Sequence, residues 1–195
     1  MAVSPDGAWL AVPCLDVNRI LVYAATPPHA LLRTIGSCGA GEGQLNGPCR
    51  MCFTPAGNLL VCDYYNNRVQ ELTLDGEHVR SFVVQNPYSL ALCDDVLAVG
   101  TYSSPHIRLL SYPSGAALRE FGPQGAGDGQ IGSLATGMRF TRDGRFLVVA
   151  ECRNQRASRH QGRKPVATWR PRRLGPAAAP PKDQYFALRS LLWTR

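Results

Sequence analysis

Lysine is absent from residues 1–158, and so is any long apolar run. No stretch approaches the roughly 18 apolar residues that a membrane-crossing helix needs, so no membrane span is expected. The opening Met1-Ala2-Val3-Ser4-Pro5-Asp6 has no basic segment leading into an apolar one, so no secretory signal is expected. Helical periodicity of useful length is also missing from residues 1–158. What is present suffices for a core: 45% of the 195 residues are hydrophobic and 18% are charged, which excludes global disorder and a disulfide miniprotein.

The formal net charge of +7 is unevenly placed. Residues 1–158 hold twelve arginines against thirteen carboxylates, a net of −1, whereas residues 159–195 hold nine basic residues and only Asp183, a net of +8. The body thus offers no net field for a polyanion. Seven cysteines (14, 38, 49, 52, 62, 93 and 152) are scattered in odd number. They read as small buried hydrophobes of a reducing compartment, and a cytoplasmic location is expected.

A turn followed by an apolar strand occurs four times, at Ser4–Val12, Thr54–Val61, Cys93–Val99 and Thr141–Val149. After each comes a polar break and a basic residue before a second strand: Arg19, Arg68, His106 and Arg156, spaced by 49, 38 and 50 residues. A finer spacing of 19, 19 and 20 residues separates Gly57, Gly76, Asp95 and Gly115, each in a cluster that supplies hairpin backbone angles. Two hairpins per period make four short antiparallel strands, the content of one β-propeller blade. The long periods contain a glycine-rich insert, residues 36–48 and again 122–131, where the short one has Gln85-Asn86-Pro87-Tyr88. The insert reads as a blade-to-blade loop.

The run from Gly36 to Leu74 resembles an NHL repeat. It carries Gly39-x-Gly41-x-Gly43-Gln44-Leu45-Asn46-x-Pro48, then Gly57-Asn58-Leu59-Leu60-Val61-x-Asp63, then Asn66-Asn67-Arg68-Val69-Gln70. The first repeat keeps Asn18 and Arg19 but has Cys14 at the acidic position; the third has Thr101 and His106; the fourth keeps Glu151, Asn154 and Arg156. The resemblance implies an all-β, open part of a six-bladed, TolB-like propeller over residues 1–158, with repeats at about 1–49, 50–87, 88–135 and 136–158. Dividing that length by the period leaves about three and a quarter blades, fewer than the roughly four of the smallest closed propeller. The chain is therefore expected to be a fragment of a longer protein, and its basic Arg/Pro/Ala-rich residues 159–195 a disordered or misread tail.

The motif residues Asp63, Asn67, Arg68, Asn18, Arg19, Glu151 and Arg156 are expected to be structural, with Asp63 and Arg68 forming a blade-stapling ion pair. Cys49-Arg50-Met51-Cys52 has the spacing of half a zinc or redox site but lacks a second pair. Gly39-x-Gly41-x-Gly43 leads into a strand, where a phosphate loop needs a helix. Asp94-Asp95 with Asp128 has no regular calcium loop around it and reads as a hairpin tip. The histidines His29, His78, His106 and His160 lie near turns or in the tail, and none gains a general-base role. Trp169, Trp193 and the tail arginines have the composition of a nucleic-acid contact, which disorder explains equally. No catalytic residue, metal or cofactor is expected.

The resemblance implies a non-catalytic binding scaffold with a protein partner, contacted through blade-end loops at Tyr64, Tyr65, Asn66, Tyr102 and Ser103. The alternatives are a substrate-recruiting propeller of a RING-type ubiquitin ligase without its catalytic domain, an RNA-binding propeller, and a fragment of a propeller lyase or lactonase. Open blade edges are expected to favour self-association.

Overall fold

The computed structural model describes residues 1–102, 104, 106–127, 130–132, 135–151 and 156–161. The expectations on Ser103, Asp128, Cys152, Asn154 and residues 162–195 lie outside the described residues. Four antiparallel meanders follow one another. The first holds β1 (Ala2–Val3), β2 (Trp9–Cys14), β3 (Arg19–Ala24) and β4 (Leu31–Ile35). The second holds β5 (Pro48–Phe53), β6 (Leu59–Asp63), β7 (Arg68–Leu72) and β8 (His78–Val83). The third holds β9 (Pro87–Cys93), β10 (Val96–Thr101), β11 (Ile107–Ser111) and β12 (Ala117–Phe121). The fourth, three-stranded among the described residues, holds β13 (Ala135–Phe140), β14 (Phe146–Glu151) and β15 (Arg156–Gln161). The β14–β15 ladder continues through Phe146↔Gln161, past Ser158.

The hairpin turns explain the fine spacing. Gly57 and Gly76 take φ of +86° and +88° at the β5–β6 and β7–β8 turns, a conformation that costs glycine nothing. In the third sheet the tip between β9 and β10 is Asp94-Asp95, with the positive φ on Asp94, at +50°. An aspartate tolerates this region because its short side chain bonds locally.

The first strands of the sheets neighbour each other: β1 lies on β5, β5 on β9 and β9 on β13. The sheets therefore stack as blades, with these strands innermost. Three apolar clusters fill the seams. Ala11, Ile20 and Val22 meet Leu59, Val61 and Leu72 between the first and second blades. Leu60, Cys62 and Val69 meet Leu90, Leu97 and Val99 between the second and third. Ala98, Ile107 and Leu109 meet Leu147 and Val149 between the third and fourth.

Strand alternation decides which seam each residue fills. In β6, Leu59 and Val61 face the first blade while Leu60 and Cys62 face the third. Every residue of β6 and β10 is buried. In β2 only Ala11 is buried, and in β14 Val148 and Ala150 are exposed between buried neighbours. The two outer blades thus each present one covered and one open face. The cysteines divide accordingly: Cys49 and Cys62 are buried, Cys14, Cys52 and Cys93 are half-buried, and Cys38 is exposed. The expectation of uniformly buried thiols is corrected for Cys38, which sits in the polar insert and not on a strand. Among the described residues no helix is long and apolar enough to cross a membrane.

Candidate functional site

One end of the blades gathers the sequence motifs. Pro48 opens β5 opposite Asp63, which closes β6, and Pro87 opens β9 opposite Thr101. The blade-to-blade inserts and the turns after β6 and β10 therefore share this end.

Asp63 is fully buried and organises the second blade's insert. Its Oδ1 accepts the Asn46 backbone N–H at 2.6 Å. Its Oδ2 accepts Arg68 Nε at 2.8 Å, Asn66 Nδ2 at 2.9 Å and Gln70 Nε2 at 3.0 Å. Arg68 goes on to donate through a terminal nitrogen to the carbonyls of Gly41 and Gln44, at 2.7 and 2.9 Å. Gln70 donates to the Gln44 carbonyl and accepts the Gly43 N–H. The carboxylate's full set of donors removes its desolvation cost, so a buried charge is tolerated. These bonds tie the loop between blades onto the blade it enters.

Both glycine-rich inserts fold alike. Leu45 and Ile131 are fully buried plugs, each forming a parallel bridge to Cys38 or Gln124. Gln44 Oε1 accepts the Gly41 N–H at 2.9 Å, and Gln130 Oε1 accepts the Gly127 N–H at 2.8 Å. A Cβ at Gly39 would collide with the Gln44 side-chain amide, so the amide's place requires a glycine there.

Asn18 and Asn67 are the matching pins. Each has left-handed φ, +54° and +55°. Asn18 Oδ1 accepts the Gly47 N–H at 2.7 Å, and Asn67 Oδ1 accepts the Asn86 N–H at 3.0 Å. Each thus holds the entry to the next blade. Arg19 lies opposite Cys14 in the ladder and is exposed. Glu151 lies opposite Arg156, as Asp63 lies opposite Arg68. Its Oε2 accepts the Gly132 N–H at 3.0 Å. In the third blade Thr101 Oγ1 donates to the Ser104 carbonyl at 3.0 Å, while His106 and Arg108 face Glu120.

Above the staple stands an aromatic cluster. A single 3-10 turn, Tyr64–Asn66, joins β6 to β7. The Tyr64 ring meets Tyr65, Tyr88 and Tyr102 edge to face, with centroids 4.8, 6.4 and 5.8 Å apart. Tyr88 and Tyr102 close the group at 5.7 Å. Burial among these rings lifts the Tyr64 hydroxyl above the ordinary phenol value, so it remains a donor. Tyr65 and Tyr102 are 60% and 56% exposed. Arg50, exposed on the inner strand β5, lays its guanidinium 5.7 Å from the Tyr88 centroid and donates Nε to the Thr136 carbonyl at 3.3 Å. The structure thus brings Tyr64, Tyr65 and Tyr102 together. Asn66 instead donates its amide inward, to Asp63 and to the Gly39 carbonyl. Sequence reasoning did not give Tyr88 and Arg50 a place at the rim: it read Tyr88 as part of the short blade-to-blade stretch and Arg50 only as a spacer between cysteines, whereas both lie in inner strands, β9 and β5. Among the described residues no three His, Cys, Asp or Glu side chains gather as a metal-holding group.

The NHL repeat model matches residues 45–72, from the Leu45 plug through β7. Over 65 residues the chain is 32% identical to Protein lin-41 of Caenorhabditis elegans, a stretch that is 33% of this chain and 6% of that protein. The chain therefore matches a small part of that relative. Among solved structures, Kuenenia stuttgartiensis hydrazine synthase superposes with a TM-score of 0.62 at 14% identity, over 81% of this chain and 43% of that one. The computationally designed Ika4 protein superposes with a TM-score of 0.59 at 13% identity, over 82% and 89% of the two chains. At such identities the likeness is one of fold. The chain carries an NHL repeat on an all-β propeller fold.

Proposed function

We propose that this propeller is a non-catalytic protein-interaction module whose contact surface is the tyrosine rim at the insert-bearing end of the blades. The observation that carries the reading is the packed group of four tyrosines, two of them more than half exposed. Tyrosine offers a large apolar body, a polar tip and little rotamer entropy to lose, which is why it is enriched at protein interfaces. The rim is rigid because the staple beneath it is fully hydrogen-bonded, so little ordering entropy opposes binding. In this reading the blades of residues 1–158 are part of a larger six-bladed ring working in the cytoplasm, and that ring serves to recruit a protein partner.

RNA is the competing partner. One feature weighs against it: residues 1–158 carry a net of −1, which gives no net attraction for a polyanion. A photo-crosslinking amino acid at Tyr65 or Tyr102, with a control at the exposed Val79 on the outer strand β8, separates the readings in cells. Protein adducts at the two rim positions, absent at Val79, are expected. RNA adducts at the rim, or the same adducts at all three positions, overturn the reading.

A further inference from the structure

The spacing Cys49-x-x-Cys52 draws attention to the wrong pair. In the β5–β6 ladder Pro48 faces Asp63 and Met51 faces Val61. Two residues, Cys49 and Arg50, therefore share the single opposing position Cys62. This is a β-bulge. It reverses the alternation along β5, so that Cys49 and Cys52 both face the third blade together with Cys62, whereas Met51 faces the first. Cys52 itself pairs with Leu60, one step further along.

Directly opposed residues of antiparallel strands have Cα atoms about 4.5–5.5 Å apart, inside the roughly 4.4–6.8 Å window of a disulfide. Across the bulge Cys49 Sγ lies 3.8 Å from the Cys62 carbonyl, and the two side chains fill the same seam. Cys49 Sγ also lies 3.5 and 3.6 Å from the Pro87 and Tyr88 carbonyls of the next blade. Cys49 is 8% exposed, at the strand end beneath the tyrosine rim, and Cys62 is fully buried.

We propose that Cys49 and Cys62 are a peroxide-oxidised, reversible disulfide site, with Cys49 as the attacking and Cys62 as the resolving thiol. The Cys49 thiolate attacks one oxygen of hydrogen peroxide and the O–O bond breaks. Cys49 becomes a sulfenic acid, and the departing hydroxide takes up a proton as water. The Cys62 sulfur then displaces the sulfenic oxygen, which leaves as a second water with the Cys62 proton. The two thiols lose two electrons and peroxide gains them. The roles follow from place. Cys49 lies at the strand end beneath the rim and next to Arg50, and the adjoining Cys62 thiol pulls its own thiol below the ordinary value. Burial pushes the Cys62 thiol well above it. Oxidation also takes from Cys49 the proton directed at the Pro87 and Tyr88 carbonyls, on the seam that carries Tyr88. The site stands independently of what the rim binds.

The test treats the full chain with hydrogen peroxide, blocks the remaining thiols, digests with trypsin without reductant and maps the peptides. Cleavage after Arg50 separates Cys49 from Cys52 and Cys62. The Cys49 peptide also carries Cys38, so the mapping uses the Cys38→Ala background. A cross-link from that peptide to Met51–Arg68 that persists when Cys52→Ala is added and is released by dithiothreitol is expected. A cross-link lost on adding Cys52→Ala, a partner for Cys49 outside Met51–Arg68, or no cross-link in the folded Cys38→Ala chain overturns the proposal.

Discussion

Replacing Asp63 tests the staple directly. Its carboxylate has no exposure and four donors, and its partner Arg68 has a side chain 15% exposed. Breaking a buried pair from one side costs about 3–5 kcal/mol. Arg68 keeps the Gly41 and Gln44 carbonyls, which places Asp63→Ala near 3, the lower end of that same range. Asp63→Asn costs about as much, because every neighbour donates and the amide must turn its NH2 toward a donor. Arg68→Ala costs less, about 1–3 kcal/mol, since the carboxylate retains the Asn46, Asn66 and Gln70 donors. Against a domain stability of roughly 5–15 kcal/mol these losses are large. Urea unfolding followed by far-ultraviolet circular dichroism measures them, and hydrogen exchange at the Asn46 and Gly43 amides reports the released insert. An Asp63→Asn protein within about 1 kcal/mol of wild type, or an Arg68→Ala protein less stable than Asp63→Ala, would refute the reasoning.

Asn67→Gly keeps the left-handed backbone but loses the bond to Asn86, whereas Asn67→Ala loses both; a gap of about 1 kcal/mol between them in urea midpoints is expected, with alanine the worse. Burial pushes the Cys52 thiol from 9.0 up to about 12, so stability falls as pH rises from the first value toward the second. At pH about 9 iodoacetamide labels the exposed Cys38 while Cys52, its thiolate form suppressed by burial, stays unlabelled until the chain unfolds. Hydrogen bonds from Ser4 and Thr141 hold the Asp6 and Asp143 carboxyls below 3.8. Their contribution is present above that value and is lost as pH falls through the lower folded one; carboxyl titration by NMR at or above 3.8 would contradict it. The open apolar faces of the outer blades predict concentration-dependent self-association in sedimentation, reduced by Val148→Lys.

Much of this fold was legible because glycine and proline punctuate it. Asp-Gly and Pro-x-Gly turns mark the hairpins, and the basic residue after each polar break falls at Arg19 and Arg68, the first residues of β3 and β7. The Asp63–Arg68 pair was visible as a motif. Gln44, Asn46 and Gln70 stood in the motif too, but their bonds to the pair were not visible: those of Gln44 and Asn46 run through a backbone carbonyl and N–H, which leave no trace in side-chain spacing. The pairing of Cys49 with Cys62 was hidden for another reason. A bulge adds one residue to one strand, and alternation counted along the sequence then assigns every residue beyond it to the wrong face. The tyrosine rim was half visible: the turn displayed Tyr64, Tyr65 and Tyr102, while Tyr88 sits within β9 and joins them only through packing.

A strand apolar on both sides has no intrinsic sense of inside and outside. If β6 slid by one residue, Leu60 and Cys62 would exchange places with Leu59 and Val61, and each seam would still receive apolar side chains. Hydrophobicity alone therefore discriminates poorly between the two alignments. The slipped alignment would, however, carry Asp63 away from its ring of donors and leave its charge stranded in the interior. One carboxylate thus acts as the index mark that makes the correct alignment the only affordable one.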